Sequence, residues 1–373
     1  MKKVLIVQKS IAQYRQDFYF LLKDDLLKYD IELQIIYGKN KNQNALKNDE
    51  VDIEWATYIP SKIIKIWKIE LVWQPILNKI RDKDLVIVES ANKLLINYYL
   101  IIARKFLKYK LGFWGHGRNL QNDMNSWQNK FKYLFLNKCD WWFGYTTGTK
   151  NFLRLRNFPL NRITVVQNTI DTNSLKIFYS NITKNEIFDL QNELGIGSSL
   201  TAIFCGALYP QKNFDFILET CYRVKNEIPE FQMIFIGSGI EAKKIIEASK
   251  TNEWIHYVGS KFGKERVKYF KTAHIQLMPY YVGLGIVDSF ALETPLITTL
   301  NGNHGPEIEY LENGVNGITT NNNIDEYSQK VIDVLKNKTY LDLIEGCKSS
   351  AIEITVEKMA SNFKEGIIEC LSF

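Results

Sequence analysis

Several things this chain lacks narrow what it can be. It has five cysteines in 373 residues, Cys139, Cys205, Cys221, Cys347 and Cys370, and no two stand at CxxC spacing. A dispersed, odd set in a long chain predicts reduced, mostly buried thiols and a cytoplasmic setting, not a disulfide framework. The four histidines, His116, His256, His274 and His304, show no metal-ligand spacing. The one DxD-like acid pair, Asp82-Lys83-Asp84, immediately precedes the apolar run LVIV. Charged residues there mark a solvated strand entrance, and no metal is expected. No apolar run approaches the ~20 residues that span a bilayer. The VLIV of the basic start MKKVLIVQKS is too short for a signal-peptide core and reads as a buried first strand. There is no low-complexity tract, and the 46% hydrophobic content is that of a folded chain.

Acidic residues are scarce in the first half. Residues 1–170 carry 28 Lys and Arg against 15 Asp and Glu, whereas the remainder carries 19 against 26. A basic half joined to an acidic one predicts that the N-terminal half meets something anionic, nucleic acid or a membrane surface. No recognisable nucleic-acid module is present, so nucleic acid is not expected as a partner. Two segments, KIIKIWKIELVWQPILNKIR (62–81) and NKFKYLFLNK (129–138), mix lysines with aromatic and aliphatic residues. Such stretches suit an anionic bilayer surface, although each is equally a core-facing segment with solvated lysines.

The chain is long enough for two cores. VLIVQ, IELQIIYG, LVIVES, KLGFWGHG and DWWFGYT in the first half alternate with helical patterns such as QDFYFLLKDDLLKY. ITVVQN, LTAIFCG, FQMIFIGSG, IHYVG, IQLMPY and PLITT do so in the second. Near-continuous apolar strands between amphipathic helices predict parallel sheets covered on both faces. The pattern restarts near residue 170. The expectation is an α/β chain of two Rossmann-like, doubly wound domains facing across a cleft, 1–170 and 171–355, with a terminal helix over 356–373 that packs back onto the first.

Ligands in such sheets collect at the carboxyl ends of the strands, where GHGRN, GALYPQKN, GSG and YYVGLG all fall. In YYVGLGIVDSFALETP, Gly283 and Gly285 would let a diphosphate approach backbone amides, with Leu284 supplying one between them. Asp288, a turn later, would face the same ligand and accept from ribose hydroxyls. The bland alternative is a strand–helix turn with an acid near the helix start. Lys212, six residues after Gly206, can reach a diphosphate as a point charge.

These residues resemble glycosyltransferase family 4, retaining enzymes of the GT-B fold, over most of the chain. Gly206 through Lys212 resembles the family's G-R-L-x-x-x-K loop, and Tyr280 through Asp288 stands at its E-x7-E motif. HGPEIEYLENGVNGI resembles its proline–glutamate–isoleucine stretch followed by D-G-x-N-G. VVQNTIDT resembles its interdomain V-x-N-G-V-D-T, and AQYRQDFYFLL the Y-R-x-x-F of polysaccharide-building (O-antigen or capsule) members. WGHGRN puts His116 at the family's donor-sugar histidine. Three positions depart from the pattern: Tyr280 and Asp288 replace the two glutamates, and Ala207 replaces the arginine beside the phosphates. A subgroup with a P-x-x-V-G-L variant excuses the first, and Lys261 or Lys264 could compensate for the last.

The resemblance implies transfer of a hexose-type sugar from a UDP- or GDP-sugar to a glycan or lipid-linked glycan, without cofactor or metal. The implied roles place the donor diphosphate on Gly206, Lys212, Gly283, Leu284 and Gly285, and the ribose on Asp288. The base would lie against Ser260, Lys261 and Phe262, with His116 and Lys212 as catalytic groups. Tyr14, Arg15 and Arg118 would face the acceptor. The implied setting is bacterial surface polysaccharide synthesis in the cytoplasm or at the inner face of its membrane. A nucleotide-sugar epimerase on the same fold and a non-catalytic binding partner remain alternatives.

Overall fold

The computed structural model describes residues 1–39, 50–67, 69–117, 127–197 and 199–373. The chain divides into two compact units, Met1–Ile170 with Val356–Phe373, and Asp171–Thr355.

The first unit is built on a seven-stranded parallel sheet in the order β3-β2-β1-β6-β7-β8-β9. Its strands are β1 (Lys2–Gln8), β2 (Ile31–Tyr37), β3 (Thr57–Tyr58), β6 (Leu85–Glu89), β7 (Lys110–Gly115), β8 (Trp141–Gly144) and β9 (Ile163–Val165), and a separate antiparallel hairpin is formed by β4 (Lys62–Ile66) and β5 (Ile69–Trp73). Because side chains alternate along a strand, Val4 and Ile6 join one core and Leu5 and Val7 the other. The first core is closed by helix α1 (Gln16–Leu27) and by the C-terminal helix, Val356–Ser372. The second is closed by α2 (Leu95–Leu107) and α4 (Thr147–Arg154), while α3 spans Trp127–Tyr133. Phe363 of the C-terminal helix stacks on Phe143 of β8 at 4.3 Å between centroids and meets Phe18 edge-on at 5.3 Å.

The second unit has a six-stranded parallel sheet, β12-β11-β10-β13-β14-β15. The strands are β10 (Thr201–Cys205), β11 (Gln232–Ile236), β12 (Ile255–Tyr257), β13 (Ile275–Leu277), β14 (Leu296–Thr299) and β15 (Gly317–Thr320). Around them lie α5 (Thr172–Asn181), α6 (Lys184–Leu194), α7 (Phe214–Glu227), α8 (Ala242–Thr251), α9 (Gly263–Thr272), α10 (Gly285–Ala291), α11 (Ile324–Lys336) and α12 (Tyr340–Glu353).

ITVVQN, grouped by sequence pattern with the later strands, contributes β9 to the first sheet. The segment 62–81 forms the β4–β5 hairpin and a single 3-10 turn at Leu77–Lys79, because β-branched isoleucines dominate its first half. In the 82–84 acid pair, Asp82 takes Lys3 and Lys83, and Asp84 takes Lys2 and the Lys3 amide. All five cysteines are free thiols.

Each sheet reverses its winding once. In the first unit the reversal lies between β1 and β6, and in the second between β10 and β13. At such a point the connections depart to opposite faces and leave a crevice at the carboxyl ends.

Candidate functional site

At the β10–β13 reversal, four stretches of sequence meet. Gly206 follows β10 with φ of 154°, a conformation that favours glycine. One 3-10 turn, Pro210–Lys212, then leads into α7, whose N-cap Asn213 accepts from the Phe216 amide. This rigid turn fixes Lys212, which is buried at 6% exposure. Its ammonium donates to the Tyr281 carbonyl at 2.6 Å and contacts Met278 Sδ at 3.4 Å. The lysine expected from sequence to reach a diphosphate is thus also a tie into the glycine-containing loop.

The glycines of GSG have a different task. A Cβ on Gly237 would stand 1.9 Å from the Gly206 carbonyl oxygen, and one on Gly239 2.2 Å from that of Leu208. They let the β11 end press on the β10 loop.

His304 holds the Tyr281–Gly283 loop from the other side. Its Nδ1 accepts from the Val282 amide at 3.0 Å, and Nε2 lies 2.6 Å from the Thr299 carbonyl. Nδ1 must be unprotonated to accept, so the ring is neutral with its proton on Nε2. Burial first, with the Lys212 charge adding, pushes its pKa below the ordinary histidine value. The Tyr281 amide donates to Gly302 and the Gly305 amide to Val282, completing the clamp. Sequence reading passed over His304 as a site residue. Its only signal was its place at the head of HGPEIE.

With the loop so held, the N–H groups of Gly283, Leu284 and Gly285 donate to no acceptor among the described residues. A Cβ on Gly283 would meet nothing within 4 Å, so its side is open. Gly285 differs: a Cβ there would stand 3.3 Å from Met278 Cε. That glycine serves packing against Met278.

Asp288 is not the lone carboxylate the sequence suggested. Arg266, from α9, grips it with two hydrogen bonds, Nη1 to Oδ2 at 3.0 Å and Nη2 to Oδ1 at 2.8 Å. Both its oxygens already accept from Arg266 and it is buried, so only the lone pairs that Arg266 leaves remain for a ribose. The charges of Arg266, Asp288 and Lys212 all reach Cys205 at the end of β10, and burial pushes that thiol up to about 11. Arg266 was absent from the sequence-derived site because it lies 22 positions before its partner. Lys261 and Lys264, considered as stand-ins for the missing arginine, pair with Glu265 and Glu186. Ser260 and Lys261 lead to Phe262, the N-cap of α9, whose ring is 77% exposed.

In the first unit, His116 follows β7 and stacks on Tyr145 at 5.9 Å. Tyr14 is half-buried in a 3-10 turn, Gln13–Arg15. Arg15, expected to face an acceptor, is buried instead. It donates to Asn168 and lies over the rings of Tyr14, Trp114 and Tyr145 at 5.1, 5.0 and 5.7 Å. This joins the Y-R-x-x-F segment to the VVQNTIDT junction inside one core. Arg118 lies outside the described residues.

Residues 199–337 match the family model of the glycosyl transferases, group 1. The match spans the strands and loops that build the β10–β13 site. An uncharacterized glycosyltransferase of Haemophilus influenzae is 23% identical over 345 residues, 88% of this chain and 84% of that protein. Among solved structures, Anabaena HepE in complex with UDP superposes with a TM-score of 0.69 at 14% identity, covering 99% of this chain and all of that one. The lipopolysaccharide outer core galactosyltransferase WaaB, in its apo form, gives 0.68 at 14% identity over 98% and 99%. The fold is GT-B, with two Rossmann-like halves.

Proposed function

We propose that the protein is a retaining glycosyltransferase that moves a hexose-type sugar from a nucleoside-diphosphate sugar to a glycan or lipid-linked glycan during bacterial surface-polysaccharide synthesis. The observation that carries this reading is the run of three unpartnered amides, Gly283 to Gly285, beside the Lys212 tie at the β10–β13 reversal. Consecutive backbone donors next to a fixed cation suit a diphosphate, whose charge grows as the glycosidic bond to it breaks. Lys212 acts by its charge and by holding the Tyr281 carbonyl, and hence the loop. Arg266 supplies the second cation in place of the arginine missing at Ala207, oriented by Asp288. Asp288 then reaches the ribose only through lone pairs that Arg266 leaves, and Phe262 offers its exposed ring to the base. His116 orients the donor sugar, and the reading needs no resident metal. UDP bound to HepE favours a uridine donor.

A membrane-side acceptor would suit the β4–β5 hairpin. Its turn residue Trp67 is 99% exposed, with Ile64 and Ile66 also exposed, Lys65 between them and Lys62 at the start of β4. No helix among the described residues is long and apolar enough to cross a membrane. A hairpin tip of tryptophan, isoleucine and lysine fits the interface of an anionic bilayer at the cytoplasmic face.

The test is thermal shift of the protein against UDP, GDP, TDP, CDP and ADP without added metal. A ligand at 100 times its Kd stabilises by about 2.7 kcal/mol. A rise with one nucleotide supports the donor site and names its class. No rise with any of the five overturns the reading.

A further inference from the structure

The first unit carries its own reversal, between β1 and β6. Glu89 ends β6 and Gln8 ends β1. The parallel register that pairs Val7 with Val88 sets Gln8 beside Glu89 on one face. Glu89 Oε1 accepts from the Lys9 amide at 3.3 Å, which bridges the reversal, and Asn97 Nδ2 donates to the Glu89 carbonyl at 2.7 Å. No other hydrogen bond reaches this carboxylate among the described residues. Beside it, the Nε2 of Gln8 is buried with no partner.

An open acceptor and an open donor at neighbouring positions match a hydroxyl group, which gives one hydrogen bond and takes one. Burial, opposed by the Lys9 amide and the charges of Lys9 and Arg15, leaves the Glu89 pKa above the ordinary carboxyl value, in keeping with a carboxylate lacking its full set of donors. Half-buried rings follow the neighbouring strands, His116 after β7 and Tyr145 after β8, stacked on each other. Apolar ring faces with a few fixed polar groups make a small-molecule site suited to a sugar.

We propose that Glu89, with Gln8 beside it, binds a sugar hydroxyl at the carboxyl edge of the first unit's sheet, as a positioning residue for the glycan acceptor. The role as acceptor subsite rests on the transferase reading; the hydroxyl site itself does not.

The test is titration of the full chain by saturation-transfer NMR with the methyl glycosides of glucose, galactose, mannose, rhamnose and N-acetylglucosamine. Wild type, Glu89→Gln and Gln8→Met are compared, with melting temperature and UDP-induced shift recorded in parallel. Glu89→Gln keeps an oxygen for the Lys9 amide and turns an amide group toward the ligand. The expected result is saturable binding of at least one glycoside, weakened by about tenfold or more in Glu89→Gln and severalfold in Gln8→Met, with the UDP shift unchanged. Equal binding in all three proteins overturns the proposal, as does the absence of binding in wild type. If Glu89→Gln does not fold, Gln8→Met decides alone. Absence of a shift in wild type with any of the five nucleoside diphosphates would sink the transferase reading and leave the glycoside comparison to stand or fall by itself.

Discussion

The ammonium of Lys212 and the carbonyl of Tyr281 are joined at 2.6 Å, so the loop after β10 and the loop after β13 are one structure. Tyr281 sits at φ of 54°, unusual for a tyrosine, and is held there by this bond and by its own amide on Gly302. Lys212→Ala should therefore lower turnover by ~100-fold or more, through lost charge and a loosened loop. Near-normal turnover in steady-state assays would remove Lys212 from the mechanism. Lys212→Arg should recover little, since the buried space is shaped for one ammonium.

The Arg266–Asp288 pair separates two roles by measurement. If Asp288 chiefly orients Arg266, Asp288→Asn should weaken UDP binding and also destabilise the fold. Breaking a buried pair from one side costs roughly 3–5 kcal/mol. Removing both charges, Arg266→Met with Asp288→Leu, should restore much of the stability and none of the UDP affinity. A stable Asp288→Asn that has lost only nucleotide binding would instead point to direct ribose contact.

His304 predicts a pH dependence with a definite sign. Its pKa in the fold lies below the ordinary 6.5. As pH falls, the unfolded chain takes up the proton first, so stability falls. The contribution is whole above pH 6.5 and disappears as pH passes down through the lowered folded value. His304→Gln can accept from Val282 and donate to Thr299 without titrating. Its melting temperature should vary less with pH between 7 and 5 than that of wild type. Parallel curves would show that His304 does not report on this loop. His256 and His274, also lowered by burial, keep a residual slope in both proteins.

The hairpin reading is checked by sedimentation with vesicles of phosphatidylcholine and phosphatidylglycerol. Binding should require the anionic lipid and weaken with salt. Trp67→Ser together with Ile66→Ser should reduce the bound fraction severalfold without altering the UDP shift. Unchanged sedimentation of the double variant would exclude the hairpin as the contact.

Gly366 lies in the C-terminal helix where a Cβ would stand 2.3 Å from Thr164 Oγ1 and 2.9 Å from Phe143 Cε1. Alanine ordinarily favours a helix over glycine by about 1 kcal/mol. Here Gly366→Ala should lower the melting temperature, because the helix must lift from β8 and β9. A rise would show that Thr164 yields at little cost.

Local pattern alone determined the alternation of apolar strands and helices, the parallel sheets, and the loops where glycine, lysine and histidine gather. Those features follow from side-chain periodicity and backbone freedom, which neighbours in sequence decide. The partners of the charged groups belong to tertiary structure. Arg15 looked like a surface arginine until Trp114, Tyr145 and Asn168 closed around it. Asp288 looked solitary until α9 brought Arg266 to it, and the Tyr281 carbonyl held by Lys212 came into view only when the β13 loop was packed beside it. A buried charge takes whatever opposite charge or carbonyl the packed elements bring near, and long-range packing alone settles which that is.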